Sequence, residues 1–192
     1  AYVNATDSSY KWTLDSTDAK AITNATVYRF TLTSQQWLTS ELVSPSIWTH
    51  QVEVLKPKKL TRPDLCVLYI TGCNQNDIEC ADIQLAFISP LIAKTGSYGA
   101  ILPQIPNQKT TFSEDPAKKP RMEDDLVSWT WAHYVNDTTH PDYVVYLPMV
   151  KATKKTLDMI EEISLQLYKE GQLKVPITKF YITGASKRGA TT

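Results

Sequence analysis

Phe180-Tyr-Ile-Thr-Gly-Ala-Ser-Lys-Arg-Gly189 is the stretch on which the fold of this 192-residue chain turns. Phe180 to Thr183 is a short apolar run of strand length, and Gly184 to Gly189 reads as a sharp strand-to-helix turn that presents Ser186. A turn of this kind holds a nucleophile in a strained backbone conformation, and strand and helix approach so closely that its neighbours must be small. Gly184 and Ala185 meet that need on one side and Gly189 on the other. The backbone N–H of Lys187 then points at the space above the serine, where an oxyanion can be bound. The usual spacing is G-x-S-x-G, whereas here Arg188 stands where the second glycine is expected. The plainer reading is a glycine-rich turn with a capping serine, common wherever strands alternate with helices.

The residues upstream give that turn a sheet to stand on. Leu65-Cys-Val-Leu-Tyr-Ile70 is a continuous apolar run ending in Thr71-Gly72, the pattern of a strand buried on both faces. Periodicity predicts a helix over 77–93, with Ile83, Phe87 and Leu91 on its apolar stripe and a kink at Pro90. A short strand over 98–104 follows, then a polar loop over 106–120 that is too long to be a mere connector. Helices are predicted over 124–135, bearing Trp129 and Trp131, and over 147–170. The second carries Val150, Leu157, Ile160, Ile163 and Leu167 at helical spacing, with Pro148 in its first turn and Gly171 at its stop. Lys151, Lys154 and Lys155 fall together on one side of it and read as solvent-facing. Strand, helix, strand, helix, helix, strand is an α/β alternation with a parallel sheet. A second oxyanion donor would come from the loop after the 65–70 strand, at Gly72 or Cys73.

The first sixty residues differ. Val27 to Thr33 alternates, with Tyr28, Phe30 and Leu32 on one face, and Trp48, His50, Val52 and Val54 repeat the pattern after a turn at Ser44-Pro45. Two such runs close in sequence predict an antiparallel pair. Lys56-Pro-Lys-Lys59 and Arg62-Pro63 punctuate a loop. The organisation expected is a β-rich part over 1–60 and an α/β part over 61–192, forming one incomplete domain.

Composition excludes some functions. Twenty basic and twenty acidic residues balance, so no basic excess points to nucleic acid. No apolar run approaches the roughly 18 residues needed to span a bilayer. Asn4-Ala-Thr6, Asn24-Ala-Thr26 and Asn136-Asp-Thr138 are glycosylation sequons. The chain starts at Ala1 with no apolar leader, as a mature secreted chain would after signal removal. An extracellular location is expected. In that compartment Cys73 and Cys80 would form a short-range disulfide, or else remain ordinary thiols, while Cys66 is a buried apolar residue. Nothing calls for a cofactor, and a cysteine spacing of seven without a nearby histidine makes no zinc site.

A serine alone is not a catalyst, because it needs a base and the base needs an orienting carboxylate. His50, His133 and His140 all precede Ser186. His50 alternates with apolar residues and reads as a packed core histidine, and His140 before Pro141 reads as solvated. Arg121 and Glu123, in the loop after the predicted 98–104 strand, would position a substrate or brace the turn. They read equally well as a solvated lead into a helix with acidic residues in its first turn. Trp129, Trp131 and Tyr134 would meet a partner or a sugar ring, or pack in the core. Arg188, with Lys187, would favour an anionic substrate, or would pair with an internal acid.

Six stretches together resemble one family: Leu32-Thr-Ser-Gln-Gln-Trp37, Trp48-Thr-His50, Ile105-Pro-Asn-Gln108, Arg121-Met-Glu-Asp124, Leu147-Pro-Met-Val-Lys151 and Gly184-Ala-Ser-Lys-Arg-Gly189. They are similar to the PhoPQ-activated pathogenicity-related family, which includes secreted autocrine proliferation repressors, and the resemblance covers essentially the whole chain. It implies the N-terminal part of an α/β-hydrolase-like fold, with antiparallel first strands, then a parallel sheet with flanking helices, ending just after the nucleophile elbow. It also implies a second half with more strands. The expected partner is therefore a C-terminal half or a second chain completing the sheet, beside possible extracellular protein partners. The acid and histidine of a triad would lie in that half. One departure is Ala190, where an aromatic usually follows the last glycine. The implied activity is that of a secreted serine esterase or peptidase, and the alternative is a non-catalytic extracellular signal or structural subunit. The short motif also resembles that of glucuronoyl-type esterases, which carry a basic residue after the serine and a glycine three positions on.

Overall fold

The computed structural model describes residues 2–192 except 23, 76, 78 and 79, with 18–22 and 80–83 described by backbone alone. In chain order the elements are β1 (Lys11–Ile22), β2 (Ala25–Gln36), β3 (Val43–Ser44), β4 (Ile47–Pro57), β5 (Arg62–Ile70), α1 (Cys80–Thr95), β6 (Ser97–Leu102), β7 (Thr111–Phe112), α2 (Glu123–Asn136), α3 (Tyr146–Lys169) and β8 (Lys179–Gly184). Six strands form one sheet in the order β1-β2-β4-β6-β5-β8.

The two expected β runs are the cores of β2 and β4. They pair antiparallel with Tyr28 opposite Val54 and Leu32 opposite His50. β4 is also antiparallel to β6, whereas β5 runs parallel to both β6 and β8. The mixed sheet thus begins antiparallel and ends parallel, which is the α/β architecture the alternation predicts. Arg62 and Pro63, expected in a loop, instead open β5. A register shift between Arg62 and Cys66 accommodates them, and the first residues of a strand tolerate the missing proline N–H.

Successive residues of a strand face opposite ways, and the sheet separates two cores on that period. Phe30, Leu32, Val52, Cys66, Leu68, Ile70, Ala100 and Leu102 face α3 and share one core with Trp37, Trp48 and that helix's own Met149. Val27, Leu55 and Ile101 face α1 and meet its Leu85, Ile88 and Ile92. Burying each such Leu or Ile stabilises the fold by about 1.5–3 kcal/mol. The stripe expected on α1 is the wrong one. Phe87 and Leu91 are 62% and 41% exposed, and the Ile83 side chain lies outside the described residues. The segment is apolar around most of its girth, so two stripes share the helical period and packing on the sheet chooses between them.

On α3 the inward face is likewise rotated from the expected one. Met149, Ala152, Thr156 and Ile160 are buried, while Val150, Leu157, Ile163 and Leu167 are half-buried flanks. The small residues let the helix lie close to the sheet, and the Thr153 and Thr156 hydroxyls donate to the carbonyls of Met149 and Ala152. Lys151 is not solvent-facing. Its ammonium donates to Asp7 Oδ2 at 2.9 Å and lies 4.9 Å from the Tyr2 ring centre. This contact ties the N-terminal segment to α3.

The 106–120 segment is no open loop. Its β7 pairs with β3, and Asn107, Gln108, Thr110 and Asp115 are all buried. Cys66 is free and buried, as expected. The expected Cys73–Cys80 pairing involves the Cys80 side chain, which lies outside the described residues. Among the described residues no helix is long and apolar enough to cross a membrane.

Candidate active site

β5 and β8 run side by side with Ile70 level with Gly184. The loops that leave their carboxyl ends, Thr71–Cys73 and Ala185–Lys187, therefore emerge as neighbours. The chain from β5 goes to α1 on one face, while that from β6 goes to α2 and α3 on the other. Such a divergence at the carboxyl edge of a parallel sheet opens a crevice where ligands bind.

Ser186 follows the carboxyl end of β8 at φ 57°, exposed, at the head of a 3-10 turn spanning Ser186–Thr191. A positive φ costs a non-glycine residue about 1–3 kcal/mol, and surrounding contacts hold it in place. The spacing G-x-S-x-x-G has a direct steric cause. A Cβ on Gly184 would lie 2.7 Å from the Arg188 carbonyl oxygen, and one on Gly189 would lie 3.1 Å from the Gly184 carbonyl oxygen. The two glycines face one another across the turn, so the chain doubles back with no room for side chains. The first hydrogen bond of the turn runs from Arg188 N–H to Ala185 O at 3.1 Å, which leaves the preceding Lys187 N–H outside it.

Lys187 and Arg188 are held from below rather than presented to a ligand. Arg188 Nε donates to Ile105 O at 2.7 Å and its Nη2 to Glu123 Oε1 at 2.6 Å. Lys187 Nζ lies 2.7 Å from Glu123 Oε2 and 2.9 Å from Asp124 Oδ1. Glu123 is fixed in turn by Gln108, whose amide donates to Oε1 and accepts from the Glu123 N–H, each at 2.8 Å. Partial burial alone would raise the Glu123 carboxyl, yet hydrogen bonds from Lys187 and Gln108 and the Arg188 charge hold it below its ordinary value. For Lys187 burial pulls downward, and the two carboxylates more than offset it and raise the ammonium.

The Arg188 guanidinium also presses on Gly72, where a Cβ would collide with it. Gly72 O accepts from Gln104 N–H at 2.6 Å, and Cys73 adopts φ 95°. Ser186, Lys187, Arg188, Gly72, Cys73 and Glu123 thus share one neighbourhood. Arg121 does not join them: it pairs with Asp115 at 2.8 Å and Asp125 at 2.7 Å, and lies over the Trp129 ring. Trp129 stacks on Phe112 at 3.9 Å, whereas Trp131 is 44% exposed. His50 is buried, as expected of a core residue. Its Nδ1 lies 3.1 Å from Pro103 O, which only accepts, so Nδ1 carries the proton and Nε2 accepts from the Ser34 hydroxyl at 2.9 Å. His133 packs against Tyr143 and Glu114. Among the described residues the Ser186 hydroxyl meets no histidine. Asn4, Asn24 and Asn136 are all exposed.

Sequence reasoning missed Gln108 and the Ile105 carbonyl as supports of the serine turn. Their signal was present: Ile105-Pro-Asn-Gln108, Arg121-Met-Glu-Asp124 and the serine motif are three of the six stretches that carry the resemblance, and they converge here.

Comparison with known proteins now places this geometry. The chain is 35% identical over all 192 residues to autocrine proliferation repressor protein A of Dictyostelium discoideum, covering 36% of that protein. Among solved structures it is similar to a glucuronoyl esterase from Solibacter usitatus, with TM-score 0.55 and 12% identity, over 97% of this chain and 48% of the other. A weaker likeness, TM-score 0.47 at 12% identity, is to acetyl xylan esterase 1 from Thermoanaerobacterium sp. JW/SL YS485, over 99% and 51% of the respective chains. The chain thus spans about a third to a half of the relatives it matches. The likeness is one of fold: a mixed α/β sheet with flanking helices, α/β-hydrolase-like, matching about half of the glucuronoyl esterase structure. Residues 1–192 match the profile described as PhoPQ-activated pathogenicity-related protein, and the chain belongs to that family.

Proposed function

We infer that the chain carries the nucleophile of a secreted serine hydrolase acting on carboxylic esters or peptides. The observation that carries this reading is Ser186: exposed, at φ 57°, at the carboxyl end of a parallel strand, in a turn closed by two facing glycines. Backbone strain of this kind at a nucleophile has a use, because it holds the hydroxyl clear of the sheet. Ser186 Oγ would attack the acyl carbon, and the Lys187 N–H with an N–H of Gly72 or Cys73 would receive the oxyanion. The hydroxyl proton passes to a base and on to the leaving group, and water then hydrolyses the acyl-enzyme. That base, with its carboxylate, comes from outside residues 1–192. A further part of the protein, or a second chain, pairs with the open edge of β8.

Arg188 and Glu123 act as braces for the turn and not as substrate ligands, because they neutralise each other. The exposed sequon asparagines support an extracellular location, and a mobility shift on enzymatic deglycosylation checks it. The test of the activity is labelling of the full-length protein by a fluorophosphonate probe. Labelling that disappears in Ser186→Ala is expected, and no labelling of the folded wild-type protein would overturn the reading. The second reading, a non-catalytic extracellular signal, draws on the internal pairing of both cations beside the serine and on the name of the Dictyostelium relative. Absent labelling would favour it.

A further inference from the structure

The segment after β6 folds back against the loop that leaves β5. Gln104 N–H donates to Gly72 O at 2.6 Å and Ile105 N–H to Thr71 O at 3.2 Å. Further along, Asn107 is fully buried. Its amide donates to Thr49 O at 2.7 Å, and its Oδ1 accepts from the Gln75 amide. The loop after β5 is thereby tied to β4.

Gln108, 2% exposed, reaches in two directions. Its backbone carbonyl accepts from Gln75 N–H at 2.7 Å, and an isolated bridge pairs Asn74 with Gln108. Gly72 and Cys73, one of which would supply the second oxyanion donor, lie just before these residues. On the other side the Gln108 amide holds Glu123 twice, at the carboxylate and at the backbone N–H. Glu123 has φ 49°, a conformation that side chains rarely adopt, and the paired hydrogen bonds keep it there. Glu123 in turn fixes Lys187 and Arg188. Arg188 closes the circuit, with its guanidinium against Gly72 and its Nε on Ile105 O.

A neutral amide suits this place because it donates to a carboxylate and accepts from an N–H at once. A carboxylate would face Glu123 with like charge, and an alkyl chain would leave the Glu123 N–H without its acceptor.

We propose that Gln108 is the positioning residue of the oxyanion site. It touches no substrate. Its carbonyl places the loop bearing the Gly72 and Cys73 N–H groups, and its amide, through Glu123, places the Lys187 N–H. The stabilisation of an oxyanion depends steeply on where such donors stand. The assignment rests on the reading of Ser186 as the nucleophile.

The test is the rate constant of fluorophosphonate labelling of the full-length protein, wild type against Gln108→Glu, from pH 8 to about pH 6. At pH 8 the introduced carboxylate repels Glu123, and labelling about tenfold slower than in the wild type is expected, the scale of two lost hydrogen bonds. Burial and the neighbouring carboxylate raise the introduced group, so it takes up a proton as pH falls. Its O–H then donates to Glu123 Oε1 and its C=O accepts from Glu123 N–H, as the amide does. Glu123 is held below its ordinary value and stays ionised to accept. The ratio of variant to wild-type rate therefore climbs toward one, whereas for Gln108→Ala it stays low at every pH. Each protein is assayed where thermal unfolding shows it fully folded, so the ratio reports geometry and not the folded fraction. Equal rates at pH 8 overturn the proposal, as does a Gln108→Glu ratio that does not recover. If Gln108→Glu does not fold at pH 8, Gln75→Met decides, since it removes only the side-chain tie to Asn107. Labelling about fivefold slower is expected, and a wild-type rate overturns the proposal. In these cases the wild type still labels and the nucleophile reading stands, whereas a wild type that does not label removes both.

Discussion

Glu123 accepts a hydrogen bond from Arg188 at 2.6 Å, although the two residues are 65 positions apart in sequence. With the second oxygen on Lys187, one carboxylate anchors both residues that follow the candidate nucleophile. Its removal takes the carboxylate partner from Arg188 and leaves Lys187 with Asp124 alone. Glu123→Gln is therefore expected to destabilise the protein by about 1–3 kcal/mol, read as a lowered midpoint in urea denaturation.

The same carboxylate gives the protein an acid-sensitive element. Its value is depressed in the folded state, so its contribution is present above the ordinary carboxylate range and is lost as pH falls through the lowered value. Lys187 is raised, and its contribution is lost only as pH rises past that raised value. Stability curves from pH 7 to pH 3 should fall less steeply for Glu123→Gln than for the wild type.

His50 titrates in the other sense. Burial holds its imidazole down to about 4, against a smaller upward pull from the Pro103 carbonyl. The unfolded chain takes up a proton near pH 6.5 and the folded one only near 4, so stability declines as pH falls across that window. The full effect is about 3 kcal/mol. In His50→Gln this pH dependence should vanish from thermal unfolding between pH 7 and pH 5.

Gly184→Ala and Gly171→Ala should differ sharply. At Gly184 the added methyl meets the Arg188 carbonyl at 2.7 Å, so the serine turn must open. At Gly171, φ 74°, nothing lies within 4 Å, and only the left-handed backbone is strained. A cost of about 1 kcal/mol is expected at Gly171 and at least twice that at Gly184. Paired thermal melts would show the ranking.

Ser186→Gly relieves the positive φ that the serine endures. A gain of up to about 1 kcal/mol is expected, together with complete loss of fluorophosphonate labelling. A higher melting temperature in a variant that no longer labels would identify strain kept for function.

The sequence was most readable where one period admitted one answer. The alternation of β2 and β4 and the unbroken run at Leu65 to Ile70 left little choice, because a strand with one or two buried faces has a fixed pattern. Helix existence was legible too, but helix facing was not. On α1, Phe87 and Leu91 compete with Ile88 and Ile92 at the same spacing, and packing against Val27, Leu55 and Ile101 breaks the tie. Lys151 misled because a lysine on a polar stripe ordinarily faces water. Its partner Asp7 sits far away in the sequence. For the site, the small residues around Ser186 announced a tight turn, whereas the support from Gln108 and Ile105 arises only once the segment after β6 is folded inward.

The strand order has a temporal meaning. β8 pairs with β5 through Leu65–Lys179, and all the intervening elements are synthesised between those two residues. A chain emerging from the ribosome therefore completes β1 through β6 long before the serine turn exists. Only a sheet already assembled offers β8 its place, and the supports at Ile105, Gln108 and Glu123 are waiting when it arrives. A closure so distant in sequence is slow, so the serine turn takes its strained conformation only after the strands that support it.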